Sequence, residues 1–478
     1  MLNLNQYFLI IISLLSMGMY AQEKKQIELP ELGDRVSGAV SSAQEKAIGE
    51  TFLMQAYARA PLINDSIIQE YTELLIFKLS ENSKVQDRYF NVLLIDDPSL
   101  NAFAAPGSVI GVNGGLFLEA ENEGQFASVM THELAHLSQR HFARNVLRAQ
   151  DSSISSALVM VSSIAVALIT NQPQAIIGGS AFLQQESLRY SRLFEKEADR
   201  VGFTNLVASG YDPESMGEMF ENMNEMRRYF GEAPPEFLLT HPVTSSRVSD
   251  AFNAAENILN AGTKKDSLDY SLIRSRLRVH YEKIPSVSVQ YFNDALKKSN
   301  LASNKYGLAL AYNKNNNFDE SLKLINSLIL EFPKNLILNT TKAQILLNAQ
   351  MYSDALMQVD ESLTISPRNY PLTITKAKIL NEMDRYFEAE ELLREQILQR
   401  NNDPYIWLML SEVQRDGKNV VGYYQSRAEY HVLLGQYEEA INQLEFALQL
   451  TKNNFQVSES VMTKIIDIKN KINKSRGL

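Results

Sequence analysis

Residues 122–136 read NEGQFASVMTHELAH, and the last five of them set the terms for the rest of the chain. On a helix, His132 and His136 stand one turn apart on the same face. Two imidazoles so placed can both reach one Zn²⁺, at about 2.0–2.1 Å each. Glu133 neighbours the first imidazole and points to the adjacent side, where it can take a proton from a water activated by the metal. It can then hand that proton to a leaving amine. Asn122 with Gln125 three residues on resembles a capping box, which predicts a helix starting at Glu123. That helix is expected to run through to Arg148.

Working upstream, 36–84 has a helical pattern broken at Pro61, with Asp65 as the cap of the second helix. Tyr89 to Ile95 reads as a buried strand. Asn101 to Ala104 and Val109 to Val112 read as short extended pieces joined by the turn Pro106-Gly107. The segment 101–104 is either an edge strand against which a substrate backbone pairs or a buried strand with no such contact. Downstream, a second helix is expected from Phe182 to Ser209, ended by Gly210. It contains the acidic run Phe194-Glu195-Lys196-Glu197-Ala198-Asp199-Arg200. A catalytic zinc needs a third protein ligand and one open position. Glu195 and Asp199 share a helix face and Glu197 faces elsewhere, so Asp199 can hydrogen-bond a ligand imidazole. A solvated charged face accounts for the same run. His141, five residues beyond His136, is turned off the metal face of a continuous helix and reads as structural. His280 and His431 lie outside this region and receive no role.

The last third changes character. Phe318, Tyr352 and Tyr386 fall 34 residues apart, as do Ala309, Ala343 and Ala377, and Pro333 and Pro367 keep the same step. This is the period and composition of tetratricopeptide repeats: small residues let paired helices approach, and the proline ends each second helix. Ala428, Tyr437 and Ala440 mark a further unit displaced by 51, as an extra helix around Trp407 to Lys418 would produce. The concave face of such a domain can hold a protein client near a cleft.

Composition limits the chemistry. The 478 residues carry a net charge of −10, which argues against a nucleic-acid partner, and there is no cysteine. Any metal is therefore held by His, Asp or Glu, without disulfides or thiolates. Residues 1–21 contain no charged side chain and resemble a secretory signal, with an uncleaved anchor as the competing reading. The apolar stretch Ala157 to Thr170 is too short to span a bilayer and fits a buried or membrane-surface helix.

His132-Glu133-x-x-His136 followed by Glu195-x-x-x-Asp199 resembles the zinc endopeptidase family of HtpX and the CAAX prenyl protease. So do Asn101-Ala102-Phe103-Ala104, Asn113-Gly114-Gly115, the run from His136 to Arg144, Tyr190-Ser191-Arg192 and Thr240-His241-Pro242. The signal-like start and the repeats add a likeness to its periplasmic, repeat-bearing members. The resemblance implies one zinc per chain, with Glu195 as third ligand and Asp199 hydrogen-bonded to a ligand. It also implies that His241 occupies the fourth position in a quiet state, and that Arg247 contacts substrate or oxyanion. Its implied substrates are misassembled envelope proteins, outer-membrane β-barrel precursors among them, and its implied partner is the β-barrel assembly machinery.

The expected architecture is mainly α. A signal peptide (1–21) precedes a zincin-like α+β metallopeptidase domain with a small sheet (22–265). A helical connector (266–300) then leads to a tetratricopeptide solenoid (301–478). The expected activity is zinc-dependent endoproteolysis in the periplasm with peripheral membrane contact. The alternative is a repeat-based chaperone or scaffold with a latent zinc site.

Overall fold

The computed structural model describes residues 40–148, 192–230, 235–258 and 262–476. The signal-like segment, the stretch 157–170 and the beginning of the helix expected from Phe182 lie outside them. No helix among the described residues is long and apolar enough to cross a membrane.

Two capped helices lead in. Helix α1 (Ser42–Arg59) starts at a reciprocal capping box between Ser41 and Gln44, and α2 (Ser66–Ser80) starts where Asp65 accepts from the N–H groups of Ile67 and Ile68. Strands β1 (Asn91–Ile95), β2 (Ala102–Ala105) and β3 (Val109–Asn113) form one sheet. β3 is central, parallel to β1 and antiparallel to β2, which leaves β2 at an edge. After the short α3 (Gly114–Glu119), α4 (Glu123–Ser138) packs on β2 and is buried from Glu123 to His136.

The helix expected to reach Arg148 breaks. Arg140 adopts φ 50°, and α5 (His141–Arg148) sets off anew. A left-handed non-glycine residue costs on the order of 1–2 kcal/mol. Here side-chain bonds offset that cost: the Arg140 guanidinium reaches the Glu45 carboxylate at 3.0 Å and the Val40 carbonyl at 2.7 Å.

Helix α6 (Arg192–Ala208) lies along α4, and Gly202 permits the approach. A Cβ at that position would stand 3.0 Å from the His132 nitrogen and the Thr131 carbonyl oxygen. Helices α7 (Glu214–Phe230), α8 (Glu236–Thr240) and α9 (Ser245–Glu256) close this part around a core that includes Phe117, Phe126, Leu134 and Met219. At the start of α4, the buried Glu123 carboxylate accepts from the Tyr211 hydroxyl and the Lys264 ammonium, both at 2.6 Å.

The remainder is a series of helices: α10 (Leu268–Tyr281), α11 (Pro285–Lys298), α12 (Ala302–Lys314), α13 (Phe318–Glu331), α14 (Leu336–Asn348) and α15 (Tyr352–Ile365). They are followed by α16 (Tyr370–Glu382), α17 (Tyr386–Gln399), α18 (Pro404–Asp416), α19 (Val420–Leu433), α20 (Tyr437–Leu450) and α21 (Phe455–Arg476). Every second helix from α10 to α18 begins 34 residues after the last, so the step extends back into the span expected as a connector. Asn316, Gln350, Asp384 and Lys418 repeat at the same interval, each with φ between 57° and 60° in the turn inside a hairpin. Ala309, Ala343 and Ala377 are fully buried. Helix α18 lies where an extra helix was expected, and α19 packs against both α18 and α20.

The repeats rest on the preceding part. Arg276 bonds Asp65 at 2.6 Å, Asn369 and the Tyr370 N–H bond Glu70 at 2.6 and 3.1 Å, and Arg400 grips Glu73. Tyr437 reaches the Met54 sulfur at 3.3 Å. Helices α1 and α2 therefore cover part of the surface of the repeats.

Candidate metal centre

Helices α4 and α6 and the residue that ends α8 converge on one buried spot. His132, His136, Glu195 and His241 each offer a ligand atom, and these atoms lie within 4.8 Å of one another. None of the four residues is more than 4% exposed. His132 Nε2 stands 3.1 Å from His136 Nε2, 3.4 Å from His241 Nδ1 and 3.6 Å from Glu195 Oε2. His136 Nε2 stands 3.5 Å from Glu195 Oε1. Donors about 2.0–2.1 Å from a common tetrahedral centre are about 3.4 Å apart, so the set fits a zinc-sized ion. All of the donors are nitrogen or oxygen.

Electrostatics in the cluster are tightly opposed. Burial pushes the His132 imidazole down, but hydrogen bonds and charge from Asp199 and Glu195 outweigh it and hold its pKa at about 9. Burial raises Glu195, yet His241 and His132 bring it well below the usual carboxylate range. His136 is pushed well below its ordinary value by burial and by the charge on His132.

Glu133 is fully buried beside this group, 3.7 Å from His241 Nε2. Burial raises its carboxyl, with His241, His132 and the Ala104 N–H of β2 pulling the other way. In an antiparallel ladder alternate residues turn their backbone groups outward. The β2 edge is thus adjacent to Glu133 through Ala104.

Asp199 Oδ1 lies 3.0 Å from His132 Nδ1, the arrangement expected for a carboxylate that orients a ligand imidazole. Arg247 is held by the same carboxylates. Its Nε and one terminal nitrogen bond the two oxygens of Asp199, both at 2.7 Å. The other terminal nitrogen bonds the Pro242 carbonyl and stands 3.0 Å from Glu195 Oε2. With every nitrogen engaged and the residue 4% exposed, the geometry makes Arg247 a brace for the two carboxylates. His141 is not among the clustered donors, but its Nδ1 lies 2.8 Å from His136 Nδ1, because the break at Arg140 turns α5 back toward the cluster. Gly202 and Arg140 belong with the functional residues that sequence reading passed over. The HELAH motif carried no marker for either, although a glycine two turns beyond Glu195 is a visible sign of close helix packing.

Residues 65–255 match the model of Peptidase family M48. The chain carries an M48 peptidase domain. It is 29% identical to the beta-barrel assembly-enhancing protease of Escherichia coli strain K12 over 435 residues, 89% of this chain and 88% of that one. It is 32% identical to a putative beta-barrel assembly-enhancing protease of Vibrio cholerae over 315 residues, 65% of each chain. It is 29% identical to the mitochondrial metalloendopeptidase OMA1 of Arabidopsis thaliana over 158 residues, 33% of this chain and 30% of that one. The stretch that matches this peptidase family is followed by a series of paired helices.

Proposed function

We propose that this M48 peptidase is a zinc-dependent endopeptidase of the cell envelope, with His132, His136 and Glu195 as its protein ligands and Glu133 as general base. The observation that carries this reading is the buried donor cluster with Glu133 beside it and the β2 edge next to Glu133. Zinc held there would supply Lewis acidity, bringing the pKa of water down toward neutrality and polarising a peptide carbonyl. Glu133 accepts the proton of the attacking water and returns it to the departing amine. Asp199 and Arg247 hold His132 and Glu195 in place. A substrate strand pairs with the outward backbone groups of β2, which fixes the scissile bond over the cluster. The relatives named for β-barrel assembly support misassembled outer-membrane proteins as substrates and the assembly machinery as a partner of the repeats. The charge-free segment 1–21 supports a periplasmic location, with a cleaved signal or a retained anchor.

His241 favours a second reading, a chaperone or scaffold with a latent centre. It is 1% exposed, with Nδ1 among the donors and Nε2 facing Glu133, where attacking water has to stand. Three substitutions separate the two. Glu133→Gln is expected to keep one zinc per chain and lose cleavage of an unfolded protein by about 10²–10⁴-fold. Full rescue of envelope integrity by that variant in a deletion strain would favour the scaffold. His241→Ala is expected to raise cleavage, and an unchanged or lower rate counts against autoinhibition. Glu195→Ala is expected to lose zinc on elemental analysis. Retention of a full equivalent would remove Glu195 from the ligand set.

A further inference from the structure

We propose that His141 is a positioning residue that fixes the ring orientation and tautomer of His136. The inference rests on the reading of the cluster as a metal site and adds a residue to it.

A neutral imidazole has one N–H and one lone pair. His136 Nε2 is the nitrogen that faces the other donors, 3.1 Å from His132 Nε2 and 3.5 Å from Glu195 Oε1. For its lone pair to point there, the His136 proton has to sit on Nδ1. That atom lies 2.8 Å from His141 Nδ1, and both residues are buried. Two ring nitrogens at this distance share a single proton, one donating and the other accepting. With His136 as donor, His141 Nδ1 accepts and carries its own proton on Nε2, which stands 3.4 Å from Glu197 Oε2. Glu197 is held in turn by Arg144 at 2.9 Å. The opposite proton placement would aim a His136 N–H into the cluster and abolish a ligand.

The surroundings leave the His141 ring little freedom. It stacks on Phe194 of α6, centroids 4.5 Å apart and planes 12° from parallel. Its backbone follows the left-handed Arg140, whose guanidinium is tied to Glu45 and Val40. The two ligand imidazoles are thus oriented by different chemistry. Asp199, an anion, faces His132, whereas a neutral ring faces His136. A second carboxylate at the His136 position would crowd a pocket that already holds Glu133, Glu195 and Asp199.

The test is zinc affinity of the full chain, measured by competition with a chelating dye, for His141→Asn and His141→Leu. Both side chains are similar in size and both lack the ring, so their cost in packing is shared. Only the Asn amide oxygen can accept the His136 proton. Leu is expected to weaken zinc by about 10- to 100-fold and Asn to stay within roughly threefold of the unsubstituted protein. His141→Phe keeps the stack on Phe194 without an acceptor and is expected to follow Leu. Long-range ¹H–¹⁵N spectra of histidine-labelled, zinc-loaded protein are expected to show His136 protonated on Nδ1 and His141 on Nε2. Equal affinities for Asn, Leu and Phe, or the reverse tautomers, overturn the proposal. If zinc fails to bind, or binds independently of Glu195, the metal-site reading itself fails, a different result from equal affinities that depend on Glu195.

Discussion

Arg247 and Arg400 both hold carboxylates, one in the metal cluster and one where the repeats meet the peptidase domain. The Arg247 side chain is 5% exposed and bonds Asp199, Glu195 and the Pro242 carbonyl. The Arg400 side chain is 23% exposed, grips Glu73, and lies over the Tyr370 ring with its guanidinium carbon 4.0 Å from the centroid. In the cluster, polar groups removed from water depend on particular partners, and losing one leaves another charged and dry. At the junction and in the repeats, water is close enough to replace a lost partner. Specificity therefore concentrates in the first region, and the second tolerates substitution so long as size and helix packing are kept.

The largest expected effect tests the first half of that contrast. Arg247→Leu takes from the Asp199 and Glu195 carboxylates a cation that bonds both. In metal-free protein this is expected to cost about 3–5 kcal/mol, read from the urea midpoint. A loss under about 1 kcal/mol would mean that the cluster relaxes or takes in water, which would erase the distinction. Next comes Gly202→Ala, where the new methyl meets the backbone of α4 at His132. Overpacking of this kind costs about 1–3 kcal/mol. Because the strain falls on a ligand, zinc affinity is expected to fall along with stability. Stability that falls while zinc affinity holds would show that α6 can shift without disturbing His132.

These two positions also mark what could and could not be read from residues alone. The i, i+4 histidines, the adjacent Glu133, the Asp65 and Asn122 caps and the 34-residue step are local or periodic signals, and the structure follows them. Spacing in the acidic run left Glu195 and Asp199 undecided against a solvated face. What turns that face inward is a packing contact between α4 and α6 at Gly202. The break at Arg140 was invisible because Gln139-Arg140 contains neither glycine nor proline, and the bonds that hold it come from Glu45 and Val40, about a hundred residues earlier in the chain. The contact between His141 and His136 was hidden by the same break, since a continuous helix would have turned the two rings apart. The expectation that Arg247 contacts substrate or oxyanion came from the family resemblance alone, and nothing local in the sequence shows that Asp199 takes two of its nitrogens.

A smaller effect is expected at the junction. Arg400→Ala removes a partly screened ion pair and a cation–π contact, for about 1 kcal/mol in all. The difference from the unsubstituted protein is expected to shrink as salt is raised, whereas the loss in Arg247→Leu persists. A salt-independent loss of several kcal/mol would place Arg400 in the same class as Arg247.

The smallest expected effect has the opposite sign. Gln350 is exposed and sits at φ 60°, a conformation in which Arg140 is also found. Arg140 is compensated by side-chain bonds to distant residues, but the Gln350 side chain lies at the surface of a repeat turn. Gln350→Gly removes a backbone penalty and adds freedom to the unfolded chain, for a net gain of roughly 0.5 kcal/mol. Gln350→Ala is the control, because alanine keeps the Cβ and is expected to give no gain. If glycine and alanine shift the thermal midpoint equally, the conformational explanation fails. If only glycine stabilises, the turn at Lys418 offers a similar gain, and those at Asn316 and Asp384 a smaller one, because Asn and Asp adopt this conformation more readily. Additive gains over two or more such turns would show that each hairpin carries its own strain, independent of its neighbours, as a stack of near-equivalent units allows.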